Sequence, residues 1–213
     1  IKYSKGRHRN GGGTDLVLEV PSSINLVVKM VSANIVTDDL SGNKVKLITV
    51  SGDIDSEAAP NYLVAEAVSG DIQLQAAGRM ETKLEAVSGD ISVNGGQGEM
   101  EASVVSGQIT IRNADLHRAK LQSVSGDIEL GARLDQDSNV DVEAHSGDIT
   151  LNLSGDLEMD LEVDTFSGSI KSDWGKVKRN RRGPGSSLDY REGSGDTRLN
   201  ISNFSGDVDI FKR

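Results

Sequence analysis

Leu84-Glu85-Ala86-Val87-Ser88-Gly89-Asp90-Ile91-Ser92-Val93 is one copy of a phrase that returns nine times along this chain. Its serines are Ser32, Ser51, Ser69, Ser88, Ser106, Ser125, Ser146, Ser167 and Ser205, at successive gaps of 19, 18, 19, 18, 19, 21, 21 and 38 residues. A fixed period near 19 residues is the signature of a repeat architecture. Four and six residues before each serine the chain is apolar except at Thr82, as at Leu84, Leu121 and Val142 or Leu26, Leu63 and Val140. The positions between are mostly charged or polar, as in Lys83 and Glu85 or Glu162 and Asp164. That alternation marks a half-buried strand. Three residues after the serine stands Ile or Val, with a second apolar residue two further on, as in Ile91 and Val93 or Ile128 and Leu130. Each unit therefore reads as strand, Ser-Gly bend, strand and a looser return.

Two strands per unit also suit a meander of hairpins. Hairpin turns need Asn-Gly or other Gly-rich reversals, and an antiparallel meander gives no reason for identical residues at every second strand. A parallel stack sets equal positions about 4.8 Å above one another and so rewards column-wise identity. The expected fold is an all-β, single-domain parallel β-solenoid of about nine coils, on the order of 45 Å long at ~4.8 Å per coil. Residues 1–13 are expected to form a disordered basic N-terminal segment, and 14–213 the solenoid, with Asp15–Val20 as an entry strand. A basic loop is expected as an insertion at about 171–193. Ser194-Gly195 reads as a partial echo of the motif. The valine or aromatic residue before each motif serine reads as a corner residue stacked on its equivalents.

Glycine at the bend supplies either a positive φ or a close approach between coils. Only the first copy lacks it, carrying Ala33. With 24 Gly, no Cys and 3% aromatic residues, the core must be thin layers of Val, Ile, Leu and Ala. The absence of cysteine excludes disulfides and thiolate metal sites. No apolar run is long enough to span a bilayer, which predicts no transmembrane segment.

The net charge of −10 is uneven. Residues 1–10 carry +4 and residues 171–182 carry +5, leaving −19 for the remainder. Nucleic-acid binding is not expected of so acidic a body. The segment from Trp174 to Arg182 sets the only tryptophan beside Lys176, Lys178, Arg179, Arg181 and Arg182. These six residues are the candidate binding site, for anionic surface polymer, acidic lipid or another protein, with Trp174 as an amphipathic anchor.

Asp53, Asp71, Asp90, Asp127, Asp148 and Asp207 follow the bend glycine in six copies, with Gln108 and Ser169 interrupting the column. Stacked carboxylates offer hard oxygen ligands to Ca²⁺. The competing reading is that each caps backbone N–H groups of the turn. His145 takes the place of a corner valine, and His117 has no ligand partner at metal-site spacing. No catalytic residue, metal ligand set or cofactor motif emerges.

The Val-Ser-Gly-Asp-Ile units, Leu18–Pro21 and the closing Asn203–Ile210 together resemble a bacterial family of adhesin-like β-strand-repeat domains of unknown function. The resemblance covers roughly 14–213. It implies a β-solenoid that is periplasmic, secreted or cell-surface attached, non-enzymatic, and adhesive by presumption from the fold. A polysaccharide-processing β-helix enzyme, a self-polymerising bactofilin-like protein and an intracellular regulatory module are the alternatives.

Overall fold

The computed structural model describes residues 2–7, 14–155, 158–179 and 184–213. Eighteen strands and no helix occur among them. In chain order they are β1 (Lys2–Arg7), β2 (Thr14–Glu19), β3 (Leu26–Ser32), β4 (Ile35–Leu40), β5 (Lys44–Ser51), β6 (Ile54–Ala58), β7 (Tyr62–Ser69) and β8 (Ile72–Ser88). The long strands β9 (Ile91–Ser106), β10 (Ile109–Ser125) and β11 (Ile128–Ser146) follow. The last are β12 (Ile149–Ser154), β13 (Met159–Ser167), β14 (Ile170–Ser172), β15 (Lys178–Arg179), β16 (Ser186–Arg191), β17 (Thr197–Ser205) and β18 (Val208–Lys212).

The repeat is a parallel β-solenoid. Equal motif positions pair in register from coil to coil, for example Ser88 with Ser106, Leu84 with Ala102 and Ile91 with Ile109. The residues two, four and six before the serine point inward, as do those three and five after it, and Leu84, Ile91, Leu121 and Ile128 are fully buried. A second bend closes five of the coils with a residue that tolerates a left-handed backbone, Asp39, Gly78, Gly95, Asn113 or Asp137, while the chain turns through Ala59 and Pro60 between β6 and β7. Because that bend is not uniform, the period drifts. In β11 the extra residues fall at Asp135–Ser138, where the Asp135 N–H donates to Ser138 Oγ, which itself donates to the Leu116 carbonyl.

Chain order and spatial order part company at the C-terminal end. Seven successive turns of 18 to 21 residues run from Ser32 to Ser167, but β13 does not pair with β11. Between them lies β17, parallel to both, with Ser205 opposite Ser146 on one side and Ser167 on the other. The next face repeats the arrangement, β18 lying between β12 and β14. The last coil of the sequence is thus the penultimate coil of the rod.

This arrangement corrects the reading of 171–193 as a loop inserted in one coil. After β14 the chain forms β15 and β16, and β16 runs antiparallel along the outer edge of β13. The segment is an end cap followed by a return. Gly193 and Gly195, at φ 61° and 71°, make the tight turn into β17, unlike the corner glycines near 140°. Ser194-Gly195 is therefore no motif corner.

At the other end, β1 and β2 form a separate antiparallel two-stranded sheet. Residues 2–7, expected to be disordered, are a strand here because β2 offers them a full ladder of backbone partners. β2 is consequently not a rung of the solenoid. The inward residues of β3, namely Leu26, Val28 and Met30, remain half-buried. On the side away from β5, β3 pairs with no described strand.

Candidate functional site

The corner follows from backbone geometry. At Gly89 φ is 145°, and a Cβ there would overlap the Gly70 carbonyl of the preceding coil. The same holds at Gly126 against Gly107. Ala33 occupies the first coil of the rod, where no preceding carbonyl is met, so a side chain is tolerated.

The aspartate column is a hydrogen-bond ladder. Asp53 Oδ1 accepts the Asp71 N–H at 3.0 Å, and Asp71 Oδ1 accepts the Asp90 N–H at 2.9 Å. Asp90 serves Gln108, Asp127 serves Asp148, Asp148 serves Asp207 and Asp207 serves Ser169, each at 2.8 Å. These N–H groups point back along the rod, and the aspartate side chain of the preceding coil supplies their acceptor. Ser169 is the last rung and has no further coil to serve, so the column needs no carboxylate there. The Ser169 N–H and then its hydroxyl hold the Asp207 carboxyl below the usual carboxylate range. The proposed cation-binding aspartates Asp53, Asp71, Asp90, Asp127 and Asp148 are thus brought into one line. No cluster of three or more acidic or histidine side chains suited to a metal occurs among the described residues.

The basic candidates are divided. Lys176, Lys178 and Arg179 are exposed on the C-terminal cap, Lys178 donating to Asp189 at 2.8 Å. Arg181 and Arg182 lie outside the described residues. Trp174 is 6% exposed and belongs to the hydrophobic core cluster with Leu188 and Ile210. It is not a surface anchor. The core ends at this cap, and a large ring closes it where no further coil can. Gly175, at φ 70°, permits the fit, since a Cβ there would meet Leu188 and Tyr190.

Sequence reasoning assigned no binding role to the corner residue before the motif serine. That position faces solvent in every coil. Val31, Val50, Val68, Val87, Val105, Val124, Phe204 and Phe166 are 45 to 74% exposed and, with exposed His145, make one continuous column. Its order is spatial: His145 stacks on Phe204 at 4.8 Å and 8°, and Phe204 on Phe166 at 4.9 Å and 6°. The rung spacing imposes this stacking. Beside the column a groove of about 1200 Å³ runs from Val105 to Phe166, with Lys178, Arg179 and Pro184 of the cap along its wall. Parity within the first strand, counted from the residue two before the serine, is a signal that could have placed this column outside.

Elsewhere the outward rows are laced from rung to rung. Lys46 pairs with Glu66 at 2.7 Å, Arg112 with Glu129 at 2.8 Å and Arg118 with Glu99 at 2.9 Å. Exposed pairs of this kind contribute at most about 1 kcal/mol each. They serve register more than affinity.

No curated protein and no solved structure matches the chain. The model of the Toastrack DUF4097 family matches it twice, over residues 3–145 and 106–211. The two matches overlap across 106–145, as a sliding fit to near-identical coils would. With residues 3 to 211 matched between them, the chain belongs to the Toastrack DUF4097 family.

Proposed function

We propose that this domain is a non-enzymatic, adhesin-like scaffold module, acting in the periplasm, at the cell surface or after secretion, and that its basic C-terminal cap contacts anionic surface polymer. The carrying observation is the charge layout. Lys176, Lys178 and Arg179 stand exposed on one cap of a chain whose net charge is −10. A local cation cluster on a repulsive body favours end-on contact with a polyanion, because approach along the acidic sides of the rod meets like charge.

Binding to immobilised polyphosphate tests this reading. Replacing Lys176, Lys178 and Arg179 by Ser is expected to weaken retention and flatten its salt dependence while the melting curve is kept. Equal retention of the variant, or none by the native chain at low salt, would remove the cap from consideration.

End-to-end assembly is favoured by one observation, the half-buried Leu26, Val28 and Met30 at the open β3 end. The opposite end is sealed by antiparallel β16, so such contact makes pairs and not filaments.

A further inference from the structure

The column of corner side chains is the largest apolar feature on the outside of this rod, and nothing in the solenoid requires it. Corner residues point away from the core, so serine or threonine would serve the fold equally well. Nine half-exposed side chains in line amount to on the order of 600 Å² of apolar surface, the upper end of what a monomer usually shows. The column is straight, one residue wide and on the order of 40 Å long.

One border is acidic along most of its length and the other is acidic in part. Three residues after each corner residue, across the Ser-Gly bend, runs the ladder of Asp53, Asp71, Asp90, Asp127, Asp148 and Asp207. No described lysine or arginine forms an ion pair with these six. Two residues before it, on the same outward face, stand Glu66, Glu85, Glu143 and Asp164 among Lys29, Ile48, Ser103, Gln122 and Ser202, with Glu66 and Glu85 already paired to Lys46 and Lys83.

We infer that this column and its rims are a docking surface for a basic amphipathic helix of a partner protein. A helix is a cylinder about 10 Å across, and its apolar ridge advances ~5.4 Å per turn, close to the ~4.8 Å rung spacing. One narrow ridge fits one narrow column. Lysine and arginine on one shoulder of the helix then meet the aspartate ladder, and on the other Glu143 and Asp164, their alkyl stems covering the edges of the apolar strip. A second copy of this chain fits worse, since pairing column to column sets acidic rims against acidic rims. An anionic lipid surface is repelled by the same rims. The basic cap adjoins this surface at its Phe166 end, where Lys178 and Arg179 wall the groove, so the proposal rests on the stretch from Val50 to Val124 and stands whether or not the cap binds polyanions.

The test uses the whole chain and two synthetic peptides of about 20 residues, or ~30 Å as helices. One has a leucine face with lysine elsewhere, and the other has the same leucine pattern with glutamate. The Leu/Lys peptide is expected to bind at low salt and to weaken as salt rises, and the Leu/Glu peptide is expected not to bind. Val87→Ser, Val105→Ser and Val124→Ser together should weaken binding roughly tenfold or more, as removal of central anchors does. Circular dichroism and melting report that the fold is kept, and the single Val105→Lys offers a second variant with the same expected loss. Undiminished binding by both variants, equal binding of the two peptides, or no binding overturns the proposal. So does a concentration-dependent dimer in sedimentation that the serine variant abolishes, because the occupant is then a second copy.

Discussion

The carboxylate of Asp207 accepts the backbone N–H of Ser169 at 2.8 Å, across 38 residues of chain. The donor precedes the acceptor in sequence but follows it in the rod. In the earlier coils the aspartate serves a residue still to come in the chain, as Asp71 serves Asp90. The reversal is the local mark of the intercalated last coil, and the energetics of the C-terminal end rest on it.

Acid sensitivity follows. Asp207 is held below the usual carboxylate range by the N–H and then the hydroxyl of Ser169. A carboxyl depressed in the folded state contributes stability that is fully present above the unfolded value, ~3.9, and is lost as pH falls through the lower folded value. Asp207→Asn keeps the acceptor oxygen and loses the titration. Denaturant midpoints followed from neutral into acid pH should fall less steeply for the variant. Parallel acid branches would dissociate Asp207 from the effect.

Corner glycines and the first-coil alanine should respond oppositely. Gly89→Ala forces a Cβ against the Gly70 carbonyl at a φ of 145° and is expected to cost on the order of 3 kcal/mol. Ala33→Gly removes a methyl group that meets no neighbouring coil and should change stability by about 1 kcal/mol or less. Equilibrium urea unfolding of the two variants gives the comparison, and similar losses in both would refute the steric account.

An unpaired charge in the core should uncouple neighbouring coils. Ile91 and Ile128 are at most 1% exposed, so replacing either by Asp is expected to cost several kcal/mol. Thermal melts read the loss, and a native-like melt of both variants would mean that this column does not form the core.

Trp174 is the chain's only tryptophan and is buried beneath the cap. Its emission should be blue-shifted in the native state and should report the C-terminal end alone. Trp174→Ala is expected to cost about 3–5 kcal/mol, most of it local to β13, β16 and β17. Hydrogen exchange resolves this: protection should drop there while β7 to β10 keep theirs.

Removing residues 197–213 tests the intercalation directly. The truncated chain loses the strands that join β11 to β13 and β12 to β14, so β13, β14 and the cap are left without their parallel neighbours. Limited proteolysis should then strip everything after about Ser154, leaving the first seven coils resistant. A protected β13 in the truncated chain would mean that β11 and β13 can pair without β17.

Strand, corner, inward column and parallel register were all legible in the sequence, because the physics behind them acts identically in every coil. Leu84 and Leu121 sit in the same surroundings, and repetition exposes what those surroundings demand. Spatial order was harder to read, since any coil satisfies the same ladder. Two exceptions encoded it nonetheless. Asp207 keeps the aspartate although no motif follows it in sequence, and Ser169 lacks one although a motif does, an absence that Gln108 shares in mid-rod. Trp174 was misplaced because a lone aromatic residue among cations reads as a surface anchor when its coil is assumed to continue. Once the rod ends there, the ring is a plug. The column from Val31 to Phe166 was visible as a pattern, but its direction depended on a parity count across the bend.

The intercalated coil also constrains how such a rod can change length. Repeat arrays commonly grow by duplication of a unit, and here a unit added after Arg213 would emerge in the middle of the stack, where both adjoining rungs are already occupied. Lengthening must therefore proceed by duplication within the chain, between Ser32 and Ser146, where sequential coils are stacked in order. The central copies, whose phrase varies least, stand where such copying leaves its descendants, and the C-terminal lock travels intact behind them.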